Sequence, residues 1–301
     1  MSAAWSTFII VLIVANIVGC AWLLWGNRHV EIDAAEKGES TGHDFDGIEE
    51  LNNPLPAWWT WLFIGTIVFG VGYFILYPGF GSMPGVLGWS SADEAAANNA
   101  AAEAKYGPIY EAYLAQPIPD LLDDERALGM GRRIFANRCA QCHGSDARGG
   151  RGYPNLTDDD WIHGGGPEAI VYTIANGRNG IMPPLGGALG GDEGVRNVTE
   201  YVLSLSGRDH DAAAAAAGKP MYDGLCGICH AVDGGGNQAI GAPNLTDDVW
   251  LHGGTRDDIA YAIEAGLNNQ MPAHSDILTE GRVHVTAAYV LSLSKGGAVA
   301  P

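Results

Sequence analysis

Four of the five cysteines in this 301-residue chain fall in two copies of one pentapeptide, Cys139-Ala-Gln-Cys142-His143 and Cys226-Gly-Ile-Cys229-His230. CxxC alone fits a zinc half-site, a redox dithiol or a disulfide. CxxC followed at once by His reads as c-type haem attachment. Two thiols add across the two vinyl groups of one haem, and the adjacent His is placed to ligate its iron. Four thiols could instead form one all-cysteine zinc site. Two features count against that: His is present both times, and each copy heads its own repeat.

The repeat extends well past the cysteines. GYPNLTDDDWIHGG at 152–165 matches GAPNLTDDVWLHGG at 241–254, 89 residues later, and YVLSLS at 201–206 returns at 289–294. A unit this long is a duplicated domain, since solenoid repeats have periods of roughly 20–50 residues. Each unit needs a second iron ligand, and Met is the one that raises a cytochrome c potential. Met182-Pro lies 39 residues after His143, and Met271-Pro lies 41 after His230. The expected pairs are therefore His143 with Met182 and His230 with Met271. Met130 and Met221 read as core fillers. Pro154 and Pro243 follow the haem histidines by 11 and 13 residues. They suit loops whose backbone carbonyl holds the second imidazole nitrogen. His163 and His252, matched in the repeats, read as loop residues fixed by the packing of Trp161 and Trp250. His210, His274 and His284 read as surface residues.

Helical spacing and punctuation predict helices over 124–138, 167–176 and 192–205 in the first unit, and over 257–265 and 280–293 in the second. The alanine run 212–217 reads as a linker or the first turns of a helix. The 92–104 stretch reads as a helical spacer.

Two runs lie ahead of the repeats. Residues 5–25 and 57–77 hold no charged side chain. At about 1.5 Å per residue, each is long enough to cross a bilayer as a helix. Trp58, Trp59 and Trp61 start the second run and Tyr73 and Tyr77 end it, as interfacial aromatics do. Ile17-Val-Gly-Cys20 looks like a lipoprotein cleavage site. However, no base precedes the run, which continues to Trp25, so an uncleaved helix is expected. Haem is attached to CxxCH outside the cytoplasm, which places the chain from residue 80 onward outside and the loop between the helices inside. Arg28 and Lys37 in that loop agree with the positive-inside rule.

The formal net charge of −19 argues against nucleic-acid binding. It fits a solvated acidic surface or a docking face for a basic redox partner.

With two membrane helices and two His/Met cytochrome units in this order, the chain resembles the diheme subunit family (CcoP, or FixP) of cbb3-type cytochrome c oxidases. The family-specific residues are the loop GHDFDGIEELNNPLPAWW at 42–59, with YPGFG at 77–81 and KYGPI at 105–109. Ala57 stands where the family usually has a basic residue, and another is missing near Ser82 and Met83. The resemblance implies an all-α fold, in which two N-terminal transmembrane helices precede two tandem class I cytochrome c-like domains. Its parts are a first helix within 1–27, a cytoplasmic loop 28–56, a second helix 57–77, a periplasmic linker 78–119, and haem domains 120–207 and 208–301. It implies covalent haem c at Cys139 and Cys142 with axial His143 and Met182, and at Cys226 and Cys229 with axial His230 and Met271. Pro154, Pro243, Trp161 and Trp250 would support these sites. The implied activity is electron transfer within a bacterial inner-membrane oxidase. A cytochrome c donor would supply electrons, and a catalytic haem-copper subunit and a monohaem cytochrome c subunit would share the complex. Oxygen would be reduced in the catalytic subunit and not here. The alternative is a membrane diheme cytochrome of another complex, such as a dehydrogenase or a cytochrome bc complex.

Overall fold

A computed structural model describes residues 1–28 and 37–294. It divides into two units, Met1–Lys105 and Tyr106–Pro301. The first unit holds α1 (Ala3–Asn27), the strands β1 (Ser40–Phe45) and β2 (Ile48–Leu51), α2 (Ala57–Leu76) and the start of α3 (Ser91–Leu114). Mean hydropathy is 2.5 in α1 and 1.8 in α2, and neither helix is buried by protein. Several of their polar side chains bond to their own backbones. Thr7 Oγ1 donates to Ala3 O at 3.0 Å, Asn16 Nδ2 to Leu12 O at 2.8 Å, and Thr66 Oγ1 to Phe63 O at 2.7 Å. A helix in hydrocarbon has to satisfy its polar groups in this way. The expected inter-helix loop contains a hairpin. Phe45 pairs with Ile48 across Asp46 and Gly47, both with positive φ, a two-residue turn that Asp-Gly favours.

The second unit holds both repeats. The first runs α4 (Glu125–Arg138), α5 (Ala140–His143), α6 (Pro167–Asn176), β3 (Arg178–Met182) and α7 (Asp192–Leu205). The second runs α8 (Ala212–Met221), π turns over Tyr222–Cys226, α9 (Gly227–His230), α10 (Arg256–Ala265), β4 (Leu267–Met271) and α11 (Glu280–Ser294). Local chemistry explains several boundaries. Asp124 caps α4 and Asp211 caps α8 by accepting two backbone N–H groups each. Pro167 opens α6, and Gly177 closes it at φ +70°.

The repeats do not close on themselves. The C-terminal helix α11 packs against α4 and α6 of the first repeat, while α7 packs against α8 and α10 of the second. Matched contacts mark both crossings. Gly131 on α4 lies against the Val285 carbonyl and Tyr289, and Gly218 on α8 against the Asn197 carbonyl. The Phe135 and Tyr289 rings are 5.5 Å apart, and those of Tyr222 and Tyr201 5.0 Å. The exchange occurs at an antiparallel ribbon, where β3 and β4 pair in register from Arg178↔Met271 to Met182↔Leu267. Gly177 and Gly266 let it form. A β-carbon on either would collide with Met271 O or Met182 O of the opposite strand.

Two packed lobes result. Lobe 1 combines α4, α5 and α6 with α11, and lobe 2 combines α8, α9 and α10 with α7. The haem domains expected at 120–207 and 208–301 follow the sequence repeats, and in the structure each repeat contributes its last helix to the other's core. Residues 295–301 of the second fall outside the described residues.

An ion pair between a buried carboxylate and a half-exposed guanidinium secures one exchange. Glu200 on α7 is 2 % exposed. It accepts from Arg256 Nε at 2.5 Å and Nη2 at 3.3 Å, and from Asp211 N at 2.7 Å. The Arg256 guanidinium holds its carboxyl below the usual carboxylate range. A folded pKa below the unfolded one adds stability above the unfolded value, and that stability is lost as pH falls through the folded value. Glu200→Gln is therefore expected to lower the melting temperature by a few degrees at pH 7. The gap to the unmodified chain should close as the pH drops below the carboxylate range. A gap that stays constant down to pH 3 would contradict this. Lobe 1 has Ala288 at the matching position.

Candidate functional site: two haem cradles

Each CxxCH begins as its preceding helix ends, so both cysteines and the His share one helical turn. Cys139 is half-buried, Cys226 is buried, and Cys142 and Cys229 are exposed. Burial pushes the Cys139 and Cys226 thiols up to about 11. All four are free of disulfides.

The two CxxCH histidines are placed alike. His143 Nδ1 donates to Pro154 O at 3.1 Å, and His230 Nδ1 to Pro243 O at 3.0 Å. Both rings are at most 9 % exposed. Burial lowers their pKa values against the opposing pull of the proline carbonyls. A neutral ring with Nδ1–H committed to a carbonyl leaves the Nε2 lone pair for a metal. The Pro-Asn-Leu-Thr motif builds the loop that delivers that carbonyl. Asn155 Oδ1 accepts from Thr157 N at 3.0 Å, and Asn244 Oδ1 accepts from Thr246 N at 3.0 Å. The roles anticipated for Pro154 and Pro243 thus correspond to contacts in the fold.

The methionines come from across the ribbon. Met271 packs with Cys139, Ala140 and Trp161 against the lobe 1 core. The loop after it follows α6, with His274 N donating to Ile174 O at 3.1 Å. Met182 packs with Trp250 against the lobe 2 core, which contains Cys226. The loop after it is tied to α10, with Leu185 N donating to Ile263 O at 2.9 Å. The pairings expected from sequence, His143 with Met182 and His230 with Met271, are thus not the ones packing brings together. The physical reason is that β3 and β4 each cross to the other lobe before their Met is reached.

His274, expected at the surface, has a buried Nδ1 and is near enough to His143 to lower its pKa. Its position three residues past Met271 was the only signal for this. His284 bonds through Nε2 to Gln116 O at 2.8 Å.

Polar atoms left over in the core test whether these cradles suit haem. Among the described residues, five buried side-chain N or O atoms lack a partner. One is Thr199 Oγ1. The others are His163 Nδ1, Trp250 Nε1, His252 Nε2 and His274 Nδ1, on the loops that flank the cradles. Trp Nε1 can only donate, so its partner has to be an acceptor. Arg208 adds positive charge 5.0 Å from the Trp250 ring centroid. A thiol pair, a His whose Nδ1 is committed to a carbonyl, a thioether packed on the same core and unpaired polar nitrogens on neighbouring loops fit haem c, whose rim is apolar apart from two carboxylates.

Comparison with known proteins agrees. Residues 37–84 match the N-terminal domain of cytochrome oxidase-cbb3, FixP. Residues 126–202 and 213–290 each match cytochrome c oxidase, cbb3-type, subunit III. The chain is 45 % identical over 300 residues to the cbb3-type cytochrome c oxidase subunit CcoP of Rubrivivax gelatinosus, covering 99 % of this chain and 98 % of that one. It is 40 % identical to the CcoP of Cereibacter sphaeroides, over 85 % of this chain and 95 % of that one. It is 36 % identical to the FixP of Sinorhizobium medicae, over 90 % and 99 %. The two cytochrome c domains account for two c-type haems and for electron transfer, and the two apolar helices for membrane anchoring. The chain belongs to the CcoP/FixP family, the diheme subunits of cbb3-type cytochrome c oxidase.

Proposed function

We propose that the chain relays single electrons from a cytochrome c donor to the catalytic haem-copper subunit of its oxidase, in a complex that also holds a monohaem cytochrome c subunit. Bound in the two lobes, haem supplies one-electron iron chemistry. Cys139 and Cys142 would hold one haem covalently, with His143 and Met271 offering ligands to its iron. Cys226 and Cys229 would hold the other, with His230 and Met182. The observation that carries this reading is the packing of one locked His and one exchanged Met into each lobe. With both a His and a Met on each iron, neither haem would offer an open position to oxygen, and its reduction would belong to the partner subunit. Met raises the potential, and the surrounding burial and hydrogen bonds tune it.

The lobes lie on the periplasmic side of the bacterial inner membrane in this reading. Arg28 and Lys37 between the two apolar helices support it, as does the lack of Lys or Arg in residues 1–7 and 78–104.

Detergent purification with co-purifying subunits tests the function. The expected result is c- and b-type haem spectra together with cyanide-sensitive oxygen uptake. Two c haems with no b-type partner and no oxygen uptake would remove the oxidase assignment.

A further inference from the structure

Two matched histidines remain outside the ligand set. His163 and His252 occupy the same place in the two Trp-x-His-Gly-Gly loops. Each ring crosses the seam between the lobes. A β-carbon on Gly241 would fall against the His163 ring, and one on Gly152 would lie 3.8 Å from His252 Cε1. These glycines stand two residues ahead of Pro243 and Pro154, whose carbonyls hold the iron-binding histidines. Hydrogen bonds fix both approaches, with Gln238 Nε2 donating to Trp161 O at 2.9 Å and Gly152 N to Leu251 O at 2.7 Å. His163 of the first repeat therefore lies against the haem loop of lobe 2, and His252 of the second against that of lobe 1.

One nitrogen in each ring, Nδ1 of His163 and Nε2 of His252, is buried without a partner. Native structures seldom leave such atoms unpaired. Trp250 Nε1 is a third such atom, two residues from His252, and it can only donate. His163 bonds the Gln238 backbone through its other nitrogen, so its Nδ1 donates from the doubly protonated ring, and together with Trp250 Nε1 it calls for an anionic acceptor there. The carboxylates are the acceptors that haem c brings.

We propose that His163 and His252 bind haem carboxylates across the seam. His163 takes one from the haem held at Cys226 and Cys229, and His252 one from the haem held at Cys139 and Cys142. This rests on the haem reading above. Each haem is then oriented by a residue of the opposite repeat. A donor on the carboxylate offsets negative charge beside the iron, so its loss lowers the reduction potential.

A redox titration of the full chain carrying both haems tests this. His163→Phe should lower one of the two steps about tenfold in its equilibrium constant, which is about 59 mV for one electron. Trp250→Phe, in the lobe 2 core, should lower the same step, and His252→Phe the other. His163→Asn places an amide N–H where Nδ1 stood, and His252→Gln does so for Nε2. Both should restore the potentials and the carboxylate bending band in the resonance Raman spectrum. If the Phe and amide variants shift a step equally, or none shifts either signal, the rings only fill space and the proposal falls. If the His163 step differs from the Trp250 step, the crossing is wrong. Where a Phe ring does not fit, Leu replaces it in the same comparison. A chain whose pyridine haemochrome spectrum shows no haem c would instead overturn the underlying haem reading.

Discussion

Met271→Leu is expected to strip the sixth ligand from the iron attached at Cys139 and Cys142, although the substituted residue lies in the second sequence repeat. Met271 packs with Cys139 and Ala140 in lobe 1, and His274 just beyond it approaches His143. Leu fills the space but offers no lone pair, so the fold is kept and the ligand lost. The Met-to-iron absorption should fall by half in the two-haem chain, and one haem should bind carbon monoxide. Met271→His should keep six ligands but lower that haem's potential by a sizeable part of the roughly 0.8 V that axial ligands span. The assignment can be made in a chain whose Cys226 and Cys229 are serine, where only the lobe 1 haem is covalently held. There Met271→Leu should abolish the Met-to-iron band and Met182→Leu should leave it. The opposite pattern would restore the pairing of each His with the Met of its own repeat, and the exchanged lobes would have to be abandoned as the ligand frame.

The parts of this site that were legible in the sequence are those whose chemistry is local. Cys-x-x-Cys-His places three reactive groups on one helical turn, and Pro154 and Pro243 follow at a distance that one loop spans. Helix ends were legible for the same reason. Pro167 and Gly177 bound α6 as the sequence led one to expect, and the expected 192–205 helix is α7. The exchange was not legible. Arg-Asn-Gly-Ile-Met and Leu-Asn-Asn-Gln-Met lack the alternating apolar pattern of a half-buried strand, and their paired residues lie 85 to 93 positions apart, from Met182↔Leu267 to Arg178↔Met271. Two domains that close on themselves and two that trade helices bury the same apolar faces, so periodicity cannot tell them apart. Lobe-specific residues such as Glu200 carry a faint signal. A charged residue where the other repeat has Ala288 implies a partner that only one lobe provides.

Ending the chain after Thr279 removes α11 and should unmake lobe 1, the N-terminal haem site, while lobe 2 survives. The deleted helix buries Val283, Val285, Tyr289, Val290 and Leu291, each at most 7 % exposed. At about 2 kcal/mol per buried apolar side chain, the loss is on the order of 10 kcal/mol. That is comparable to the whole stability of a typical domain, about 5–15 kcal/mol. The contact partners of these residues lie on α4 and α6, so α4 would lose the face that includes Gly131 and Phe135. Lobe 2 keeps its closing helix, since α7 lies upstream of the cut. Mass spectrometry of proteolytic peptides should therefore find haem retained on the Cys226–Cys229 peptide and depleted on the Cys139–Cys142 peptide. Tyr289→Ala and Tyr201→Ala give a milder matched pair in the full-length chain. Removing a core aromatic costs about 3–5 kcal/mol. Tyr289 should weaken haem 1 selectively through its contact with Phe135, and Tyr201 haem 2 through Tyr222. Loss of the downstream haem in the truncated chain, with the upstream one intact, would mean that α11 closes its own repeat and that the crossed packing is wrong.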